Sequence, residues 1–271
     1  MPVSPFPMKM QSLIPIIPLL LTAAPQATAH ERFVSAPQIS DAVSTQDTVV
    51  LLHGLNRSSR AMRKMEAALR EDHYTVINCG YPSRSADIAT LTTNLFASLS
   101  PQLASARKVH FVTHSMGGLL LRTYLCDHTL PNLGRVVMLG PPNGGSEVAD
   151  KLGKLHLYKW LNGPAGNQLG TGADSVPNRL KRPDFEFGVI AGDRSVNPIL
   201  SCLIPGRDDG KVSVEHSKAE GMRDFICLHV THTFMMRNRR VIAQTKNFLK
   251  TGIFQKATPA DTLRRVRERA S

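Results

Sequence analysis

From Thr48 onward, continuous apolar runs alternate with segments whose apolar side chains return every three or four positions. Thr48-Val49-Val50-Leu51-Leu52 is aliphatic and β-branched almost throughout and ends at His53-Gly54, the pattern of a strand buried on both faces. Ser58 or Ser59 is placed to cap the next segment, where Met62, Met65 and Leu69 recur at helical spacing. Residues 74–78 predict a second strand, stopped by Gly80 and Pro82, and residues 86–103 a second helix. A third strand over 108–113 and a third helix over 117–126 follow. A fourth strand over 135–139 closes on Gly140-Pro141-Pro142-Asn143-Gly144-Gly145. Two later strands fit residues 185–191 and 225–230, and a last helix fits 239–250. Strand and helix alternating at this interval imply right-handed βαβ crossovers, hence an α/β fold with a mostly parallel central sheet and helices on both faces.

The rhythm breaks at about residues 146–182. Leu152, Leu155, Leu157, Tyr158, Trp160 and Leu161 form an apolar cluster, and a Gly/Asn/Pro-rich stretch follows it. Insertions of this kind sit over the carboxyl edge of the sheet, where clefts form. Two readings stand side by side: a small lid that touches substrate, or one more helix packed into the core.

Composition narrows the class. With 271 residues, 42% hydrophobic and 20% charged, the chain can bury the core of one sizeable α/β domain and is not disordered as a whole. No apolar run approaches the ~20 residues of a membrane-spanning helix. Cys79, Cys126, Cys202 and Cys227 contain no CxxC pair, which removes zinc and thioredoxin-type sites; disulfides and buried thiols both stay open. Residues 1–29 read as an export signal, with Lys9, an apolar run and the small-x-small pattern Ala27-Thr28-Ala29, so the expected location is periplasmic or secreted.

The formal charge is +12, and Lys250, Lys256, Arg264, Arg265, Arg267 and Arg269 concentrate part of it near the C-terminus. A basic surface favours peripheral contact with anionic membranes. No recognition helix, zinc finger or aromatic-and-basic motif accompanies it, so no specific nucleic-acid partner is expected.

The chemistry centres on Val112-Thr113-His114-Ser115-Met116-Gly117-Gly118, at the junction of a predicted strand and a predicted helix. A serine on so tight a turn projects its hydroxyl above the sheet, and small neighbours let the backbones approach. Gly117 meets that need; Thr113 stands where glycine is usual. A serine hydroxyl is a weak nucleophile that needs a base, itself oriented by a third group. Downstream lie the loop Arg207-Asp208-Asp209-Gly210-Lys211-Val212 and, past the last predicted strand, Thr231-His232-Thr233. His232 competes with His229, which falls inside that strand; Asp209 competes with Asp208 and with Asp193. The N–H groups of Leu55 and Met116 are the candidate oxyanion donors, because an attacked carbonyl gains negative charge.

These stretches resemble the α/β-hydrolases, and among them bacterial lipases and esterases. The likeness runs from Val49 to His53-Gly54-Leu55, through 113–118, 142–146 and 208–213, to 230–233. It implies a nucleophile at Ser115, an acid at Asp209 rather than Asp208, a base at His232, and oxyanion donors at Leu55 and Met116. It also implies hydrolysis of small-molecule carboxylic esters or lipids without a cofactor. With the export signal set apart, the α/β-hydrolase domain is expected over 30–253, followed by a basic tail over 254–271. Thioester cleavage and acyl transfer use the same groups, and a non-catalytic binding protein on this scaffold is the reading from another class.

Two decoys fall away. Gly206 to Lys211 has too few residues between its glycines for a phosphate-binding loop, and Val212 replaces the required Ser/Thr. His110 and His114 have metal-like spacing only on a helix, whereas they fall on a strand and its turn.

Overall fold

The computed structural model describes residues 46–256. Residues 1–29, read above as an export signal, and residues 257–271 of the expected basic tail lie outside the described residues. Strands β1 (Thr48–Leu52), β2 (Thr75–Cys79), β3 (Val109–His114), β4 (Leu133–Leu139), β5 (Phe187–Gly192) and β6 (Asp224–Leu228) form one sheet in the order β2-β1-β3-β4-β5-β6. Every neighbouring pair is parallel.

Parallel strands need crossovers that cover both faces of the sheet, and side chains along a strand point alternately to each. Val49 and Leu51 face α1 (Arg63–Glu71) with Met65 and Leu69, while Val50 and Leu52 face α2 (Ile88–Ser105) and α3 (Met116–Asp127). Each fully buried aliphatic side chain contributes about 1.5–3 kcal/mol, so β1 is held from both faces. The chain leaves β1 toward β2 and returns past it to β3, which makes the β1–β3 boundary a switch point where loops diverge above the carboxyl ends. Leu52 pairs with Thr113 there, so His53-Gly54-Leu55 and His114-Ser115-Met116 emerge side by side.

The expected 146–182 insertion comprises α4 (Glu147–Leu152), α5 (His156–Gly166) and α6 (Val176–Arg179). Its apolar cluster does not pack as a core helix. Leu155, Leu157, Trp160 and Leu161 are 55, 66, 70 and 44% exposed. At helical spacing Tyr158, Asn162 and Ala165 share the opposite, inward side of α5, and Gly163 at φ +65° followed by Pro164 kinks it. Short helices α7 (Pro198–Ser201) and α8 (Val214–Ser217) flank the acidic loop 208–213.

The last helix, α9 (Arg239–Thr251), packs Val241, Phe248 and Leu249 beside α1, and Phe254 joins the same cluster. Asn238 caps it by accepting from Arg240 and Val241 N–H, and Gly252 ends it at φ +81°. At the start of the first helical segment Ser58 occupies the cap position, but its hydroxyl makes no capping bond and a 3₁₀ turn, Ser59–Met62, precedes α1. The final strand stops at Leu228 instead of reaching residue 230, because Val230 N–H turns back onto the Leu228 carbonyl at 2.8 Å. All four cysteines are free thiols. Among the described residues, no helix is long and apolar enough to cross a membrane.

Candidate active site

Ser115 joins β3 to α3 with φ +54° and ψ −126°, a conformation that side-chain-bearing residues rarely adopt. Its N–H donates to the Leu139 carbonyl at 2.9 Å, which ties the turn to β4. A Cβ at Gly117 would lie 2.6 Å from the Leu52 carbonyl oxygen and 2.7 Å from that of His53, so only glycine lets the turn press against the end of β1. Thr113 fits where glycine is usual because Gly118 faces it: a Cβ there would stand 3.2 Å from Thr113 Oγ1.

The hydroxyl of Ser115 lies 3.0 Å from His232 Nε2, and His232 Nδ1 lies 2.7 Å from Asp209 Oδ2. A carboxylate only accepts, so Nδ1 carries the proton and Nε2 is left to accept from the serine. Asp209 Oδ1 accepts from the N–H groups of Lys211 (3.0 Å) and Val212 (2.9 Å), and the His232 N–H donates to the Asp209 carbonyl at 2.9 Å. Both side chains are buried, and this set of donors offsets the desolvation of the carboxylate. Gly140, at φ +52°, backs the pair: a Cβ would stand 3.0 Å from Asp209 Oδ2 and 3.1 Å from His232 Nδ1.

The competing residues sit elsewhere. Asp208 Oδ1 accepts from Ser201 Oγ at 2.8 Å and from Gly210 N–H at 2.7 Å, which shapes the turn rather than meeting a histidine. His229 lies one residue past β6, exposed, and bonds Asp193 Oδ1 at 3.0 Å. Asp193 also pairs with Arg207. Desolvation alone would raise Asp193, but Arg207 and His229 outweigh it and hold the carboxyl below its usual range.

Two further histidines support the site as neutral rings. His114 Nε2 donates to the His232 carbonyl at 3.0 Å, and complete burial, aided by the nearby His232, pushes it well below the ordinary histidine value. His53 Nδ1 donates to the Gly54 carbonyl at 2.9 Å while its ring stacks on Tyr81, 4.0 Å between centroids. Tyr81 in turn donates its hydroxyl to the His53 carbonyl. His53 therefore braces the turn that carries Leu55. His110 takes a structural role: its Nδ1 accepts from Arg135 N–H at 2.8 Å. Among the described residues, no group of three or more His, Cys, Asp or Glu side chains is placed to hold a metal.

A cavity of about 300 Å³ opens over Ser115 and His232. Leu55, Val148, Tyr158 and Leu169 give it apolar walls; Arg57 and Lys211 also line it. Met116 buries its side chain in the core. Lys211 opens to solvent at one side, yet close packing of protein around it, and then the Arg57 guanidinium, lower its ammonium below the ordinary lysine value; Asp209 pulls the other way. Sequence reasoning passed over Arg57, Lys211, Asn56 and Asn162, while Tyr158 falls in the apolar cluster read there as lid or core. A signal for the two cations was present, since each stands two residues beyond a site residue, Leu55 or Asp209.

The alpha/beta hydrolase family model matches residues 49–217, more than half of the chain, and includes both Ser115 and Asp209. The chain belongs to the α/β-hydrolase family. This α/β-hydrolase is similar in fold to the mature form of the Bacillus licheniformis lipase BlEst2, at 21% identity over 75% of this chain and 92% of that one, with a TM-score of 0.59. The phospholipase PlaB from Legionella pneumophila, in complex with thio-NAD, aligns at 15% identity over 82% and 61% of the two chains, with a TM-score of 0.58. A Listeria innocua gene product aligns at 18% identity over 78% and 96%, with a TM-score of 0.53. No curated protein matches the sequence.

Proposed function

We propose that this α/β-hydrolase cleaves carboxylic esters through an acyl-enzyme on Ser115. The observation that carries the reading is the continuous relay from Ser115 Oγ to His232 Nε2 at 3.0 Å and from His232 Nδ1 to Asp209 Oδ2 at 2.7 Å. In it His232 takes the serine proton as Oγ attacks the ester carbonyl, and Asp209 holds the working tautomer and offsets the imidazolium charge. Leu55 and Met116 N–H groups take the oxyanion role, Met116 standing at the first turn of α3, where N–H groups lack helical acceptors. His232 then protonates the leaving alcohol, and a water deprotonated by the same ring releases the acid.

The apolar cavity wall suits the acyl chain of a small ester or lipid. Outside it, the exposed Leu155, Leu157, Trp160 and Leu161 stand near Lys151, Lys154 and Lys159 on the insertion, a combination suited to peripheral contact with an anionic membrane surface. Export through residues 1–29 belongs to the same proposal.

The test is hydrolysis of 4-nitrophenyl esters across acyl lengths by wild type and by Ser115→Ala. Turnover that falls about 10⁴-fold or more in the variant is the expected result; turnover that survives the substitution overturns the reading. Transfer of the acyl group to added alcohols in preference to water would reassign the reaction to an acyltransferase, and turnover of thioesters alone to a thioesterase.

A further inference from the structure

Two cations that the relay does not use stand at the cavity over Ser115. Arg57 and Lys211 both line it, and no Asp or Glu does. Four cations elsewhere on the surface, Arg182, Arg207, Lys218 and Lys246, each meet a carboxylate. Among the described residues, Arg57 and Lys211 make no ion pair and no side-chain hydrogen bond. The nearby Asp209 carboxylate is already committed to His232 and to two N–H groups of its own loop.

Both cations rise from anchored main chain. Asn56, beside Arg57, donates its N–H to Ser83 Oγ at 3.2 Å and its side-chain amide to Asn162 Oδ1 at 2.8 Å. Lys211 donates its N–H to Asp209 Oδ1 at 3.0 Å, and its carbonyl accepts from Ser146 Oγ at 2.8 Å. The bonds that fix Lys211 are part of those that fix the acid of the relay, so its charge keeps register with the reacting atoms. The two like charges also repel, since the Arg57 guanidinium lowers the Lys211 ammonium after desolvation has done so. An anion between them removes that repulsion and gains charge-assisted hydrogen bonds.

We infer that the substrate is an ester bearing a second, negatively charged oxygen group, a carboxylate or a phosphate, which Arg57 and Lys211 hold while Ser115 attacks the ester carbonyl. The inference rests on the esterase reading and adds the class of ester. It needs no further reactant, because the anionic group is bound and released unchanged.

The experiment compares matched pairs on the full chain. One pair is 4-nitrophenyl hexanoate against the mono-4-nitrophenyl ester of adipic acid; the other is a 1-acylglycerol against the same 1-acylglycerol 3-phosphate. Wild type is expected to favour the anionic member by about tenfold or more in kcat/KM, in the first pair if the group is a carboxylate and in the second if it is a phosphate. That ratio is expected to fall toward one in the Arg57→Gln, Lys211→Gln double variant. It is also expected to fall in wild type as salt rises from about 0.02 to 0.5 M, a readout that stands if the variant does not fold. Ratios near one in both pairs, with turnover still dependent on Ser115, would overturn the anion site and leave the esterase. Absence of Ser115-dependent turnover with all four esters would overturn the esterase reading, and the anion site with it.

Discussion

Asp209 divides its two carboxylate oxygens, giving Oδ2 to His232 Nδ1 at 2.7 Å and Oδ1 to the N–H groups of its own loop. Asp208, one residue earlier, turns its Oδ1 to Ser201 and Gly210. The two neighbours are therefore separable by substitution. Asp209→Asn removes the acceptor that selects the histidine tautomer, and kcat is expected to fall about 10⁴-fold with ester substrates. Asp208→Asn keeps an acceptor for both of its donors, so its activity is expected to stay within about tenfold of wild type. Side-by-side initial rates on one 4-nitrophenyl ester decide it; equal losses would reject Asp209 as the acid.

Gly117 presses against the end of β1, where a methyl group would meet the Leu52 and His53 carbonyl oxygens at 2.6 and 2.7 Å. Both obstacles are main chain, with no flexible side chain to give way. Gly117→Ala is expected to cost about 3 kcal/mol, read as a lower urea midpoint at unchanged slope, with activity lost as the turns carrying Ser115 and Leu55 move apart. Gly172→Ala, where an added Cβ meets nothing within 4 Å, is the matched control and is expected to leave the midpoint in place.

The strand pattern was legible because β1 and the later part of β4 are buried aliphatic runs and Phe111-Val112 centres β3, even though His110, Thr113 and His114 of β3 are polar and buried. The order of serine, acid and histidine was legible because each follows a strand that the pattern locates. Which of two adjacent aspartates faces the histidine was harder, since it depends on how Gly210, at φ +95°, turns the loop. The resemblance supplied that choice; Asp209 Oδ2 lies 2.7 Å from His232 Nδ1. The apolar residues of α5 read equally well as core, because hydrophobicity alone does not say which side of a helix has a neighbour. Arg57 and Lys211 drew no notice, since charged loop residues are ordinary until a cavity is seen between them.

Histidines held neutral by burial make stability depend on pH. His114 lies well below the ordinary value of 6.5, and His53 and His110 are lowered by desolvation as well. As pH falls through 6.5 the unfolded chain takes up protons that the folded chain refuses, so stability declines from there toward the lowered folded values. Above that window these three groups contribute no slope. Each contributes at most about 1.4 kcal/mol per pH unit inside it. Urea midpoints are expected to hold between about pH 7 and 8 and to fall between about pH 6.5 and 5. In His114→Gln that decline should be shallower by about one proton's worth; an unchanged slope would mean that His114 is not the group being titrated.

Asn162 tests whether the insertion supports the loop carrying the proposed oxyanion donor. Its Oδ1 accepts from Asn56 Nδ2 at 2.8 Å, its Nδ2 donates to the Tyr158 carbonyl at 2.9 Å, and Asn56 itself sits at φ +57° one residue past Leu55. The hydrogen bond thus spans from α5 to the turn whose N–H is asked to meet a charge that develops only during reaction. Asn162→Ala is expected to lower kcat about tenfold, the equivalent of about 1.4 kcal/mol in the barrier, with KM for a neutral ester changed much less. Loss of packing alone would act differently, lowering the urea midpoint and leaving kcat of the folded fraction intact. Asn162→Asp separates these outcomes further: it keeps an acceptor for Asn56 but loses the donor to Tyr158. Recovery of kcat in that variant would assign the effect to the Asn56 contact, and no recovery would assign it to the kinked helix instead.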